Sequence, residues 1–380
     1  MKRTTTILVA HSRPDTVSGA ELAIADMIDK RRDGLHYLML TPGEGVLASH
    51  YRERGYEVWA SELQTRRRLY PGLHTVQSVV FARKFKNRRV DAVLCNTFAA
   101  AARVKTACRM ARIPCGIYVR EYITKKRLHR EILQNAQMVF AVSKDVAEYL
   151  SDIVTLERLV VAYDHINPEP LMERVAAHRA RNTRLLPFER RHPVVGIIGR
   201  ITRYKQQDLF VRAVPLILAA IPEARFVVVG AAGSREKDFE SELPAIARQL
   251  KVEDRVAFMG HRTDALEVTS ELSVCCLTSD REPFPRTVLE AQLVGVPVVA
   301  ANTGGCREMV EDNVTGAVFP PVGEDAAQRL AEAVIGLLRD PERAKALACR
   351  ARERLLNSVA GPEPVRVFED HLSRLSELHV

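Results

Sequence analysis

Two glutamates with seven residues between them, Glu282 and Glu290, stand where a buried apolar run, LSVCCLT, gives way to a helical pattern. In a parallel α/β sheet that junction is where ligands bind, because free amide N–H groups and the positive end of a helix dipole point into the crevice there. A phosphate is the expected guest. Pro283 and Pro285 carry no N–H, which leaves the amides of Phe284, Arg286 and Thr287 as anion donors, and Pro285 suits the first helical position. Glu282, ahead of the helix, can reach sugar hydroxyls, and Glu290, inside it, can accept both hydrogen bonds of a ribose diol. Upstream, IIGRITRYKQQD ends a strand at Gly199 and sets Arg200 and Lys205 five apart in the loop that follows. Such a pair can clamp a diphosphate, the guanidinium as a fork and the ammonium as a point charge. Taken singly, either pair would pass for solvated surface; what lends them weight is that both follow strands.

The elements that must position these residues are legible in the alternation of apolar, β-rich runs with helical patterns, which predicts parallel sheets with helical crossovers. The first half offers TTILVA, HYLMLT, YEVWA, DAVLCN, CGIYV and QMVFAVS as strands, and the second offers PVVGIIG, RFVVVG, RVAFMG, LSVCCLT and PVVAAN. At 380 residues the chain suits two α/β domains. The polar, basic stretch VAAHRARNTRLLPFERRHP separates the two sets, placing the boundary near residues 183–192: an N-terminal domain over 1–185 and a C-terminal one over 186–360. Residues 361–380 read as an amphipathic helix, with a return to the N-terminal domain as one option. The opening MKRTTTILVAHS is too short in its apolar part for a signal peptide or a membrane span and reads as the first buried strand.

Net charge is +9, and residues 1–185 hold 31 Lys+Arg against 19 Asp+Glu, so the whole positive excess lies in the first half. Clusters at Arg66–Arg68, Arg83–Arg89 and Lys125–Arg127 suit an anionic membrane surface or a phosphorylated acceptor, with a merely solvated basic face as the alternative. Nucleic acid is not an expected partner, since no aromatic stacking pattern or helix-turn-helix accompanies the clusters. The seven cysteines are scattered without zinc spacing. A reduced, cytoplasmic protein without a structural metal is expected, at most peripheral on the inner face of a membrane.

The segment EPFPRTVLEAQLVGVPVVAANTGGCRE resembles the donor-site signature of glycosyltransferase family 4, the retaining GT-B group also known as glycosyl transferases group 1. Pro285 stands where that family usually has glycine, removing one amide from the cradle. Arg200 and Lys205 resemble the family's GR-x4-K pair, which neutralises the donor pyrophosphate. The resemblance covers about residues 194–345 well, and the first domain only by its opening loop and general pattern. That loop, AHSRPDTVSGAELA, is similar to the family's GGxE loop, with Ser18 in place of the first glycine and Gly19, Ala20 and Glu21 matching the rest. Gly230 and Gly233, and Gly260 and Arg262, follow strands where the family holds the nucleotide base with main chain. Many members carry a histidine after the strand corresponding to CGIYV; this chain has Arg120 and Glu121 there, as candidate acceptor or sugar contacts.

The resemblance implies an α/β GT-B fold, two Rossmann-like domains with parallel sheets facing across a cleft. It further implies a metal-independent retaining hexosyltransferase. Arg200, Lys205 and Glu282 carry the catalytic roles, and Gly19, Gly199, Gly230, Arg262, Phe284, Arg286, Thr287 and Glu290 bind the donor. No cofactor is expected beyond the nucleotide-diphosphate sugar as co-substrate, a UDP-sugar by family frequency with GDP-mannose next. The acceptor is a glycan, glycolipid or small molecule, in envelope polysaccharide or glycolipid synthesis. A sugar-nucleotide epimerase of similar fold and a catalytically idle sugar-nucleotide-binding protein are the competing readings.

Overall fold

The computed structural model describes residues 4–15, 17, 19–29, 34–61, 71–123 and 127–378, with the backbone alone for 71–74. Ser18, Arg66–Arg68, Lys125 and Lys126 therefore lie outside the described residues. The chain divides into two compact units, one of residues 1–166 with 361–380 and the other of residues 167–360.

Unit 1 is a seven-stranded parallel sheet in the order β3-β2-β1-β4-β5-β6-β7. Its strands are β1 (Thr5–Ala10), β2 (Leu35–Thr41), β3 (Glu57–Ala60), β4 (Ala92–Cys95), β5 (Cys115–Val119), β6 (Met138–Ala141) and β7 (Leu159–Val161). The helices between them are α1 (Gly19–Asp29), α2 (Val46–Glu53), α3 (Pro71–Asn87), α4 (Phe98–Ala111), α5 (Arg127–Asn135) and α6 (Lys144–Leu150). Central strands such as β4 and β5 are buried at every residue, as strands covered by helices on both faces must be. The local code is clear in α4: Thr97 caps it by accepting from the Ala100 amide at 3.1 Å, and Arg112 closes it in the left-handed region at φ 56°. The fold also gathers cysteines that look scattered in sequence, with Cys95 and Cys115 sulfurs 3.6 Å apart in the core.

Unit 2 opens with α7 (Pro168–Arg181) and holds a six-stranded parallel sheet in the order β10-β9-β8-β11-β12-β13. The strands are β8 (Val194–Ile198), β9 (Arg225–Val229), β10 (Val256–Gly260), β11 (Val274–Leu277), β12 (Val298–Ala301) and β13 (Ala317–Phe319). Helices α8 (Gln207–Ala220), α9 (Lys237–Gln249), α10 (Ala265–Thr269), α11 (Arg286–Leu293), α12 (Cys306–Met309), α13 (Ala326–Arg339) and α14 (Pro341–Asn357) cover it. Phe210, Phe226, Phe239 and Phe319, each under 4% exposed, anchor the core.

The division falls after Ile166, not near residues 183–192. The stretch read as a linker is instead tied to unit 2. Just ahead of it Arg174 forks onto Glu267 at 3.0 and 2.9 Å, and within it His178, at 2.9 Å, and the amides of Leu185 and Leu186 meet the largely buried Glu271 carboxylate. The final helix, α15 (Glu363–Glu377), packs in unit 1, where Phe368 lies 5.9 Å from Tyr118 and 5.5 Å from Phe140. Gly116 makes room for it: a Cβ there would stand 2.9 Å from Leu375 Cδ2. Two strands escaped the sequence reading, β7 and β13, each three residues long at a sheet edge and only partly buried.

Candidate functional site

Within unit 2, β8 and β11 are neighbours at the centre of the sheet, and the loops leaving their carboxyl ends meet. After β8 the chain turns at Gly199, φ 147°, and runs through one 3-10 turn, Arg203–Lys205, to Gln206 in the left-handed region at φ 50°. Thr278, just past β11, fixes that turn by donating its hydroxyl to the carbonyls of Lys205 (2.7 Å) and Gln206 (2.9 Å). The Asp280 amide adds a bond to the Tyr204 carbonyl at 2.8 Å. Thus held, Lys205 Nζ meets Glu282 Oε2 at 2.6 Å, and Ser279 Oγ donates to the same oxygen at 2.9 Å. The two side chains are 12% and 10% exposed. Burial alone would pull the ammonium pKa down, but the Glu282 carboxylate outweighs it and raises it, so Lys205 is a fixed positive charge.

The loop carrying Glu282 is stitched to the loop after β12. The Gly305 amide donates to the Glu282 carbonyl at 2.8 Å, and Thr303 Oγ1 to the Ser279 carbonyl at 3.1 Å. A Cβ on Gly305 would lie 2.0 Å from the Pro283 carbonyl oxygen, so only glycine permits this approach. Helix α11 then starts at Arg286 behind Pro285, which offers no side-chain cap, and the Thr287 amide donates to nothing among the described residues. An open N-terminus of this kind favours negative charge. Arg286 and Glu290 face each other at i,i+4, Nε to Oε1 3.9 Å, on the same helix. Arg200 is exposed, and its side chain makes no hydrogen bond or ion pair among the described residues. Phe284 is buried between these parts.

Three of the sequence-predicted residues are occupied otherwise. The Arg262 guanidinium is spent on Asp264, with bonds of 2.7 and 2.6 Å in one turn. Gly230, φ 144°, is required by packing between adjacent turns, since a Cβ would meet the Gly199 carbonyl oxygen at 1.9 Å. Arg120 is held more firmly than its place in the sequence suggested. Its side chain is largely enclosed in unit 1, with Nε donating to Asp164 Oδ1 at 2.7 Å, Nη1 to Asn96 Oδ1, and the guanidinium lying 3.4 Å over the Tyr118 ring, while Nη2 has no hydrogen-bond partner among the described residues. Glu121 beside it is exposed, and Gly19 is the exposed first residue of α1.

Sequence reasoning missed Thr278, Ser279, Thr303 and Gly305 in unit 2, although TSD directly after a predicted strand was an available cue. It also missed the partners of Arg120. His11, Asn96 and Arg120 each follow the last residue of a strand (β1, β4 and β5), with Asp164 just past β7, at the carboxyl end of the sheet where its strand order reverses. Asn96 uses its carbonyl for Arg120, which turns its amide nitrogen to His11 Nδ1 at 3.4 Å. His11 is fully buried, and desolvation, opposed by Glu21 and helped by Arg120, lowers its pKa to about 4. A histidine depressed when folded is protonated first in the unfolded chain, so its stabilisation is whole above pH 6.5 and drains as pH falls towards 4. That amounts to about 3 kcal/mol. Urea unfolding at pH 7 and pH 4.5 is expected to show the loss, and His11→Gln to shrink it by most of that amount; an unchanged pH dependence in the variant would show that His11 is not the proton acceptor.

Similarity to known proteins agrees with this geometry. Residues 180–354 match the family model of glycosyl transferases group 1. This segment belongs to that family. Among relatives, the D-inositol 3-phosphate glycosyltransferase of Kribbella flavida is 34% identical over 154 residues, 39% of this chain and 36% of that enzyme. The GDP-mannose-dependent α-(1-6)-phosphatidylinositol monomannoside mannosyltransferase of Mycobacterium tuberculosis is 34% identical over 199 residues, 50% of this chain and 48% of that enzyme. The matched segments thus span under half the length of either relative. The structure of Anabaena HepE with UDP-glucose superposes with a TM-score of 0.80 at 23% identity, covering 98% of this chain and all of that one. The fold is the GT-B fold, α/β with two Rossmann-like sheets.

Proposed function

We propose that the protein is a retaining glycosyltransferase that moves a hexose-type sugar from a nucleotide-diphosphate donor, with the diphosphate gripped in unit 2. The observation that carries this reading is the Lys205–Glu282 pair, set among serine and threonine hydroxyls beside the open N-terminus of α11. When the glycosidic bond breaks, the bonding pair leaves with the nucleotide and one further negative charge develops on a diphosphate that already carries two, and Lys205, Arg200 and the Thr287 amide are the groups to meet it. Lys205, held by Glu282, together with the exposed Arg200 can do what a divalent ion does in other transferases, which supports a metal-independent route. Glu282 Oε2 is already engaged by the Lys205 ammonium at 2.6 Å and by Ser279 Oγ, which leaves it poorly placed to receive the acceptor's proton. That supports retention, with the leaving phosphate accepting the acceptor's proton. Glu282 then serves the sugar hydroxyls through its other oxygen, and Glu290 the ribose.

A UDP-sugar is the favoured donor and GDP-mannose the next, both drawn from the family and its relatives. The acceptor we propose is a polyol or glycolipid in envelope polysaccharide or glycolipid synthesis. Thermal unfolding with UDP, GDP, UDP-glucose and GDP-mannose tests the donor half, since saturation at a hundredfold over Kd stabilises by about 2.7 kcal/mol. A rise with one nucleotide and its sugar is expected. If no nucleoside diphosphate raises the transition, the reading fails; if a nucleotide sugar is interconverted without any acceptor, an epimerase replaces it.

A further inference from the structure

Helix α3 presents an outward face whose composition calls for a partner. Its inward side is ordinary, with Ser78, Phe81, Ala82 and Phe85 buried and Trp59 stacked on Phe81 at 5.1 Å. On the opposite side, at i, i+4, i+7 and i+11, stand Val76, Val80, Arg83 and Asn87 in one line. Val76 is 60% exposed and Val80 43%. Apolar residues at the centre of an outward helix face are the reverse of what solvent selects. Cations border them: Lys84 on one flank, Lys86 on the other, and Arg89 just beyond the helix end at φ 52°.

Most of these charges have no ion-pair partner among the described residues. Lys84 lies over the Trp59 ring and Arg88 pairs with Glu57, but Arg83, Lys86 and Arg89 form no ion pair among the described residues. No acidic residue occurs between Pro71 and Val90. The whole of unit 1 is biased the same way, with 29 Lys+Arg against 21 Asp+Glu, while unit 2 is nearly balanced at 27 against 26.

We propose that this face of α3 docks on an anionic lipid surface, the valines entering the headgroup boundary and Arg83, Lys84, Lys86 and Arg89 lying among the phosphates. Long basic side chains flanking an apolar line can keep their stems on the apolar side and their charges in the polar layer, which is how interfacial helices are arranged. A soluble polyanion would be met by the cations alone and gives the valines no role, so lipid is the better fit. Attraction of this kind is screened by salt within a Debye length.

Flotation of the full chain with vesicles tests the assignment without turnover, so a protein that transfers no sugar can still pass it. Binding is expected to vesicles of phosphatidylcholine with phosphatidylglycerol, not to phosphatidylcholine alone, and to weaken between 50 and 500 mM salt. Arg83→Glu with Lys86→Glu is expected to lower the partition coefficient at least about tenfold, and Val76→Asp with Val80→Asp at least about fivefold while leaving retention on a heparin column in place. Circular dichroism and unfolding of each variant confirm that the fold is kept. Absence of binding to anionic vesicles at low salt overturns the proposal, as does equal binding to phosphatidylcholine. If the valine variant floats as well as the parent, or heparin retention is lost with the charge pair while vesicles never bind, the face serves a polyanion and the lipid assignment is wrong.

Discussion

Lys205→Ala is expected to lower kcat/KM for nucleotide-sugar consumption by two or more orders of magnitude. The scale follows from removing a preorganised electrostatic donor at the point where charge develops, in a site shielded from water. On the proposed reading Lys205 is such a donor, since its carbonyl is pinned by Thr278 and its ammonium is held 2.6 Å from Glu282. Its raised pKa keeps it charged throughout any neutral or mildly alkaline assay. The substitution also strands the Glu282 carboxylate in a nearly closed position, so loss of stability and loss of chemistry must be separated. Lys205→Arg separates them, because it restores the positive charge but not the single-point geometry; stability is expected to return while turnover stays about tenfold or more below the parent. Release of nucleoside diphosphate from a nucleotide sugar, with unfolding followed in parallel, reads both quantities. Turnover unchanged in Lys205→Ala would remove this lysine from the chemistry.

The lysine shows what kind of information the chain carried openly. Its spacing from Arg200 and its place after an apolar run pointed to anion binding, and the 3-10 turn that delivers it to Glu282 is the physical form of that spacing. Strands with long buried runs were equally plain, since a fully covered parallel strand has no polar face to disguise it. What could not be read were relations between distant segments. Nothing local in VAAHRARNTRLLPF announces that its amides will be taken up by Glu271, some 85 residues away, so a basic stretch that looked like a linker is part of unit 2. The charge contrast between domains shrinks as well, because residues 167–185 bring four Lys+Arg against two Asp+Glu to unit 2, and residues 361–380 bring two against four to unit 1. Arg120 shows the same limit: its position after a strand suggested a contact residue, but nothing local announced that Asp164 and Tyr118 would engage most of its guanidinium and leave Nη2 without a partner among the described residues.

Asp164→Ala should therefore destabilise unit 1 by about 3–5 kcal/mol, the usual result of deleting one partner of a buried ion pair. The Arg120 side chain is 10% exposed and that of Asp164 is 5%, so water cannot replace the lost carboxylate without opening the core. Burial works against the Arg120 charge, and Asp164 is the leading influence that overcomes it. Trp59, the only tryptophan of the chain, lies in unit 1 and is 6% exposed, so its fluorescence during urea unfolding reports this unit rather than the other. The double variant Arg120→Met with Asp164→Leu is expected to lose much less than the sum of the single changes, because apolar groups of similar volume need no counter-charge. Nucleotide-induced stabilisation of unit 2 should survive in every variant. A cost below about 1 kcal/mol for Asp164→Ala, the range of an exposed pair, would mean that Arg120 reaches solvent after all and would return it to the set of residues that meet a substrate.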